Sequence, residues 1–198
     1  MRRTKADAEQ TRNAILDAAE RLFYERGVSA TALEQIAKAA SVTRGAVYWH
    51  FKDKNALLEA LRAKFRPPQA EVVKLALDEG HPDILALLEV TGKLVLEQFE
   101  AEESRQRLFV ILTSRSSIDL DSDSDQQDAK MVLRLTTAAY EAGQLAEDLT
   151  PEAAALSLTV VMRGVLTHWL LSGRSFSLSQ DGNAMMCRHL RSLRRKQD

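Results

Sequence analysis

The chain has 198 residues, of which 45% are hydrophobic and 28% charged, with only 8 glycines and 4 prolines. This composition indicates a packed, mostly helical protein with one large domain, or with one small and one medium domain. The single cysteine, Cys187, excludes an intrachain disulfide and a zinc site built from cysteines. The N-terminus does not resemble a signal peptide, and no uncharged apolar run is long enough to span a membrane. We therefore expect a cytoplasmic protein without a membrane partner.

Charge divides the chain into two parts of opposite sign. Residues 1–66 contain 13 Lys and Arg against 8 Asp and Glu, a net charge of +5. Residues 67–198 contain 14 against 20, a net charge of −6. A basic head on an acidic body predicts a polyanionic partner for the head alone.

The chain opens on a short basic arm that contains Arg2, Arg3 and Lys5. Such an arm is either a disordered start or a segment that touches the backbone or minor groove of DNA. A first helix is predicted from about residue 7 to residue 26, where Gly27 can take the left-handed conformation that ends a helix. Its apolar stripe, which we expect to roof the next two helices, consists of Ile15, Ala19, Leu22 and Phe23.

Residues 31–54 read TALEQIAKAASVTRGAVYWHFKDK and predict two short helices joined by a tight turn. Thr31 and Glu34 have the spacing of a capping box for the first of these helices. Thr43 is a cap for the second helix, whose inner face carries Val47 and Phe51. The other face offers a cation, a residue without a side chain, and hydroxyl and imidazole groups, which suit a phosphate backbone and a groove floor. These outer residues are Arg44, Gly45, Tyr48 and His50, and Lys54 follows at the start of the next helix, where backbone N–H groups add to a phosphate site.

The run TRGAVYWHFKDK, preceded by the TALEQIAKAA helix, resembles the helix-turn-helix of the TetR family of bacterial transcriptional regulators. The resemblance implies an all-α fold of about nine helices, with a three-helix head and a larger helical body. The head is expected to span 1–54, extending into the next helix to about residue 66, and the body 67–198. The alternative is that the two short helices belong to an ordinary helical core. The residues expected to contact DNA are Thr31, Thr43, Arg44, Gly45, Tyr48, Trp49, His50 and Lys54.

Asp53 is a good N-cap for the next helix, whose pattern is interrupted by two adjacent prolines, Pro67 and Pro68, and then resumes up to Gly80. A proline removes a backbone donor and clashes with the preceding turn, so the helix must kink or break there. In the TetR family this helix connects the DNA-binding head to the ligand-binding body. The break is therefore either a hinge between the two or a static bend.

Helical periodicity predicts further helices at about 84–102, 105–116 and 126–142. Between the second and the third lie alternating aspartates, which are also typical of a calcium-binding loop. That loop requires a glycine which is missing here, and Lys130 takes the place of its bidentate glutamate. A solvated loop that caps the next helix is the better interpretation, and no metal site is predicted.

The segment 150–172 is apolar nearly all round and predicts a helix that needs cover on two sides. One side can pack against the core of the same chain and the other side against a second subunit. The alternative is that a compact monomer covers the helix completely. A last helix, at about 181–194, lies beside this seam. The expected homodimer interface consists of Leu158, Val161, Val165, Leu166, Met186 and Leu190.

The stretch from Gly143 to Leu178 resembles the AcrR- and TtgR-like subgroup of the family, repressors of multidrug efflux pumps. This resemblance implies a hydrophobic or aromatic small-molecule inducer, although each aromatic or methionine side chain alone is more typical of a core. The candidate pocket residues are Phe99, Phe109, Met131, Tyr140, Met162, His168 and Trp169.

Scattered histidines and the lack of an activated Ser or Cys argue against an enzyme, so no catalytic residue and no cofactor are predicted. The predicted function is a transcriptional repressor that a hydrophobic compound releases from a palindromic double-stranded operator. The alternative is a regulator that binds DNA independently of any ligand, or an activator.

Overall fold

The computed structural model describes residues 5–64, 69–114 and 123–195. The predicted all-α fold is confirmed, and within these ranges the one extended pairing is a bridge between Leu145 and Arg194. The described residues form ten α-helices and a π-helical turn. These are α1 (Lys5–Arg26), α2 (Leu33–Ala39), α3 (Arg44–His50), α4 (Lys54–Lys64), α5 (Gln69–Glu79), α6 (Ile84–Ala101), α7 (Glu103–Thr113), α8 (Asp123–Glu141), α9 (Pro151–Leu171), the π turn (Leu178–Gly182) and α10 (Asn183–Leu193).

Some of the predicted features lie outside the described residues. They are the proline pair Pro67–Pro68, the arm residues Arg2 and Arg3, and the first aspartates of the acidic loop, Asp119 and Asp121.

The chain divides into two compact units. The first comprises Met1–Arg66 and Glu102–Ile118, and the second comprises Pro67–Ala101 and Asp119–Asp198. The first unit includes α7 because Leu108 and Ile111 join the apolar core built around α1. The sequence alone predicts α7 as part of the body, because helical periodicity does not reveal the unit on which a helix packs.

Three local signals in the first unit end or begin a helix as predicted. Gly27 follows α1 with a φ of +81°, the left-handed conformation that glycine adopts readily. The Thr43 hydroxyl accepts a hydrogen bond from the N–H of Ala46, at 3.1 Å, at the start of α3. The Asp53 carboxylate accepts one from the N–H of Ala56, at 2.8 Å, at the start of α4. Each acceptor satisfies a backbone donor that has no partner within its helix.

The capping box predicted to start at Thr31 is wrong. Thr31 is buried, and its hydroxyl donates to the carbonyl oxygens of Leu22 and Gly27, at 3.3 and 2.8 Å. The cap position of α2 is Ala32, whose N–H donates to the side-chain oxygen of Gln35 at 2.9 Å. Thr31 therefore holds the entry to α2 against the end of α1.

The N-terminus of α6 in the second unit is fastened to the C-terminal end of the chain. Both terminal nitrogens of Arg194 donate to the carboxylate of Asp83, each at 3.0 Å. The hydrogen bond from Arg194, followed by one from the N–H of Ala86, lowers the pKa of Asp83 below its ordinary value. Nearby, the side-chain oxygen of Gln144 accepts from the N–H of Ile84 at 3.0 Å. These contacts satisfy backbone donors at the start of α6 that would otherwise lack partners.

The helix α9 packs one side into the second unit and leaves another side exposed. Thr150 caps it through the N–H of Ala153, and Pro151 occupies its first position, where a missing N–H costs nothing. By length and composition this helix could also cross a membrane, a criterion that the core helix of a soluble protein meets as well. The residues that it buries are Ala154, Leu158, Val165, Leu166 and Trp169.

Candidate nucleic-acid interface and body sites

The helix α3 has one buried apolar face and one exposed face. Val47 is buried completely, and Phe51 closes the inner side just beyond the helix. On the outer side Tyr48 is 45% exposed and Trp49 is 73% exposed. The ring of His50 lies edge-on to that of Trp49, with 4.5 Å between the centroids. Large aromatic side chains rarely stay this exposed without a partner, so this face is a candidate contact surface.

Two neighbours fix the guanidinium of Arg44 on the same face. Its Nε lies 3.0 Å from Oε1 of Glu34 on α2, and its central carbon lies 5.3 Å from the centroid of the Tyr48 ring. A hydrogen bond with Tyr48, followed by the charge of Glu34, raises the pKa of Arg44 above its ordinary value. The guanidinium therefore stays charged, and both neighbours contact it at the surface.

Gly45 has open space around it. A Cβ built there would meet only the hydroxyl oxygen of Thr43, at an ordinary contact distance of 3.9 Å. Packing among the described residues therefore does not require a glycine at this position. The absence of a side chain instead leaves room for the backbone of α3 to approach another molecule closely.

Lys54 has its partners inside the protein. Its Nζ donates to the carbonyl oxygens of Val28 and Ser29, at 2.8 and 3.2 Å. Sequence reasoning predicted a phosphate contact for Lys54. In the structure its ammonium group binds the turn between α1 and α2, and the phosphate contact stays a prediction.

An open groove of about 430 Å³ lies beside this turn. Lys52 is exposed at its edge, and sequence reasoning missed both this cation and the pairing of Glu34 with Arg44. Lys52 directly follows Phe51 in the sequence, and this closeness to α3 is the signal that could have identified it. No local signal connects Glu34 to Arg44, because the two residues lie on different helices. The groove is lined by residues 29–34, Tyr48 and residues 52–54.

The candidate pocket residues are divided between the two units. Phe109 lies on α7 in the first unit, and the other six lie in the second. Phe99 and Trp169 are buried together, with their rings edge-on and 6.0 Å between the centroids. The Trp169 indole N–H donates to the carbonyl oxygen of Phe176 at 2.8 Å. Met131 and Met162 are half-buried, whereas Tyr140 and His168 are exposed.

The residues predicted for the dimer seam mostly face the interior of one chain. Val161 is half-buried, and the other five are buried: Leu158, Val165, Leu166, Met186 and Leu190. The exposed side of α9 carries a different apolar set, which we call the α9 face. It consists of Leu156, Val160, Gly164 and Leu171.

A short capped helix that buries an apolar side and exposes polar and aromatic groups, set in a basic unit, is the arrangement of a helix-turn-helix DNA-binding regulator. The family model for bacterial regulatory proteins of the tetR family matches residues 15–61. The model for the C-terminal region of MAATS-type transcriptional repressors matches residues 95–194. The chain belongs to the TetR family of transcriptional regulators, which are not enzymes.

Relatives of known function match nearly the whole chain. The transcriptional repressor BepR of Brucella suis biovar 1 (strain 1330) is 36% identical over 202 residues, covering 98% of this chain and 97% of BepR. The solved structure of NalD, the secondary repressor of the MexAB-OprM multidrug efflux pump in Pseudomonas aeruginosa, superposes with a TM-score of 0.81 at 32% identity, covering 98% of this chain and 100% of NalD. A SmeT–triclosan complex superposes with a TM-score of 0.78 at 28% identity, covering 94% and 93%.

Proposed function

We propose that this chain is a cytoplasmic repressor of a multidrug efflux operon. As a homodimer it binds a palindromic operator, and a hydrophobic small molecule releases it. The exposed α3 face, with Tyr48 and Trp49 above a buried Val47, is the observation that carries DNA binding. The efflux operon and the hydrophobic inducer are supported by similarity to NalD and to the SmeT–triclosan complex.

The residues proposed to touch DNA lie on or beside α3. Arg44 is placed for a base edge, and Gly45 allows the backbone to come close. Thr43, Tyr48, Trp49 and His50 supply contacts to the phosphates and the groove. Thr31 and Lys54 contribute indirectly, because their polar groups hold the start of α2 by donating hydrogen bonds to backbone carbonyls.

The α9 face is the proposed dimer seam. The four residues of this face fall within an arc of about 80° at 100° per residue, so they form one continuous stripe along the helix. Exposed aliphatic side chains on one stripe favour burial against a second copy, which also matches the two-fold symmetry of a palindromic operator. A Cβ added at Gly164 would meet none of the described residues within 4 Å, which leaves room for a partner helix to approach.

The proposed inducer site includes the buried aromatic pair of Phe99 and Trp169 in the second unit. Half-buried Met131 and Met162 are suited to repack around ligands of different shape. The carboxylate of Glu100, one residue after Phe99, accepts hydrogen bonds from the N–H groups of Leu178 and Ser179, at 2.8 and 3.0 Å. A ligand that displaces the aromatic pair would therefore also disturb the link between α6 and the π turn.

The chain contains only two tryptophans, one at each proposed site, and this allows a direct test. Operator DNA is first isolated as the fragment that the protein retains from its own genome. In the Trp169→Phe variant the emission of Trp49 should change on adding operator. In the Trp49→Phe variant the emission of Trp169 should change saturably on adding triclosan. Triclosan should also release labelled operator from the wild-type protein.

The ligand-independent alternative gives the opposite result. Operator would stay bound with unchanged affinity at concentrations of triclosan and related hydrophobic compounds that saturate any change in Trp169 emission. A protein that retains no defined genomic fragment would overturn the proposed function itself.

A further inference from the structure

Glu34 places a carboxylate on a surface proposed to meet a polyanion. Its side chain is 50% exposed and pairs with Arg44, which is 64% exposed. A negative charge at this position opposes phosphate and lowers affinity for any DNA, whatever its sequence. The pair adds little to folding stability, because ion pairs this exposed are screened by solvent. The position of Glu34 is therefore better explained by a role in DNA recognition than by a role in folding stability.

The contact between Glu34 and Arg44 is made through Nε of the guanidinium, not through its two terminal nitrogens. A guanidinium carries five N–H donors in a planar fork. Glu34 engages the Nε side at 3.0 Å, and the Tyr48 ring lies 5.3 Å from the central carbon. Two neighbours from different helices thus restrict the rotation of the fork. The two terminal nitrogens are the donors that pair with O6 and N7 of guanine in the major groove.

We propose that Glu34 is a positioning residue that makes Arg44 specific for a guanine. It holds the fork through Nε, so that the terminal nitrogens point outward before DNA arrives. It also opposes transfer of Arg44 to a nearby phosphate, because the carboxylate would then lose its partner beside a second negative charge. Glu34 accordingly lowers affinity for nonspecific DNA while it raises discrimination at one base pair. This inference rests on the proposed DNA-binding function.

The test is a double-mutant cycle on the genome-derived operator. The cycle compares four proteins: the wild type, Glu34→Gln, Arg44→Ala and the double variant. Each protein is titrated with the operator, with copies of it changed at each base pair, and with nonspecific DNA over a range of salt. Arg44→Ala identifies the base pair that Arg44 reads. Glu34→Gln should lower discrimination at that same base pair by about tenfold. It should also strengthen nonspecific binding and steepen its salt dependence by about one counterion, because Arg44 is freed for phosphate.

Two controls separate positioning from charge and from folding. Glu25→Gln makes the same charge change at another exposed carboxylate of the first unit, and it should leave discrimination unchanged. Thermal unfolding followed by circular dichroism should show every variant folded. In the Arg44→Ala background, Glu34→Gln should cause no further loss of discrimination, because the residue through which it acts is gone.

Two outcomes would overturn the inference. Glu34→Gln could keep wild-type discrimination at the base pair read by Arg44, or its loss of discrimination could persist undiminished when Arg44 is alanine. The second result would mean that Glu34 reads a base itself, as a carboxylate can at the amino group of cytosine. A wild-type protein without any sequence preference would instead contradict the proposed function.

Discussion

The outer side of α3 and the α9 face are both exposed, yet they differ in chemistry. On α3 the exposed aromatic rings lie beside a cation that Glu34 and Tyr48 hold in place. On α9 the exposed side chains are aliphatic, with Val160 59% and Leu171 82% exposed. Exposure makes both candidate contact surfaces, but it does not identify the partner. Held charge and aromatic groups favour a polyanion, and an aliphatic stripe favours a second copy of the chain.

The largest effect is expected from a charge on the α9 face. Val160→Glu should leave the fold intact, because the side chain is mostly exposed in a single chain. A buried carboxylate in a dimer seam would, however, have no partner. We expect a monomer in sedimentation at micromolar concentration, with operator affinity lower by about a hundredfold, because two linked heads gain at least that from avidity.

The matched control for this prediction is Leu166→Glu on the same helix. Leu166 is only 6% exposed within one chain, so this change should unfold the second unit rather than only separate subunits. A folded, dimeric Val160→Glu protein with normal operator affinity would exclude the α9 face as the dimer seam.

The second prediction tests whether Lys54 contacts phosphate or supports α3 from within. Lys54→Met keeps most of the aliphatic stem but loses the hydrogen bonds to Val28 and Ser29. We expect the free energy of unfolding to fall by about 1 kcal/mol, with the salt slope of DNA binding unchanged. Lys52→Met, at an exposed position of the same groove, should do the reverse and reduce the slope by about one.

Urea denaturation measures the free energy of unfolding of each lysine variant. Operator titrations from low to high salt measure the salt slope of its DNA binding. A reduced slope with unchanged stability in Lys54→Met would support the phosphate contact that the sequence predicts for it.

The third prediction concerns the link between Asp83 and Arg194, which holds the end of α10 against α6. The folded-state pKa of Asp83 is lowered, so its stabilising contribution is present above the unfolded pKa of about 3.9 and is lost as pH falls through the folded value. Asp83→Asn should cost about 1 kcal/mol at pH 7, a figure discounted because the side chain is 40% exposed.

The expected pH dependence is that the difference in stability between the mutant and the wild type shrinks as pH falls below the unfolded pKa of Asp83. Trp169 emission during urea unfolding of Trp49→Phe proteins reports the second unit. Asp78→Asn is the control, because Asp78 makes one exposed contact with Arg134 at 3.1 Å and should change stability little. A gap that stays constant between pH 7 and pH 3 would contradict the assignment to ionised Asp83.

Features set by neighbours in the sequence could be predicted, and features set by distant partners could not. The caps at Thr43 and Asp53 and the inner side of α3 follow from spacing within a few residues. The hydrogen bonds of Lys54 were not predictable, because its carbonyl partners are 25 and 26 residues away. The seam on α9 was assigned to buried positions because a helix that is apolar all round has no periodicity to show which side is covered. The partner of Glu34 likewise lies on another helix.

The smallest expected effect is a gain in stability at the turn that sets α3 against α2. Ser41 is exposed and has a φ of 55°, in the left-handed region that disfavours every residue with a Cβ. The N–H of Val42, next in the chain, donates to the carbonyl oxygen of Ala37 at 3.0 Å, which fixes the turn whatever side chain Ser41 carries. Ser41→Gly removes about 1–2 kcal/mol of strain and costs about 0.5–1 kcal/mol in chain entropy, leaving a net gain of about 0.5 kcal/mol.

Ser41→Val should instead destabilise the first unit, because a β-branched side chain fits this conformation poorly. Urea unfolding followed by Trp49 emission in Trp169→Phe proteins resolves the order glycine above serine above valine. If valine matched serine, strain at this turn would not be what limits the stability of the first unit.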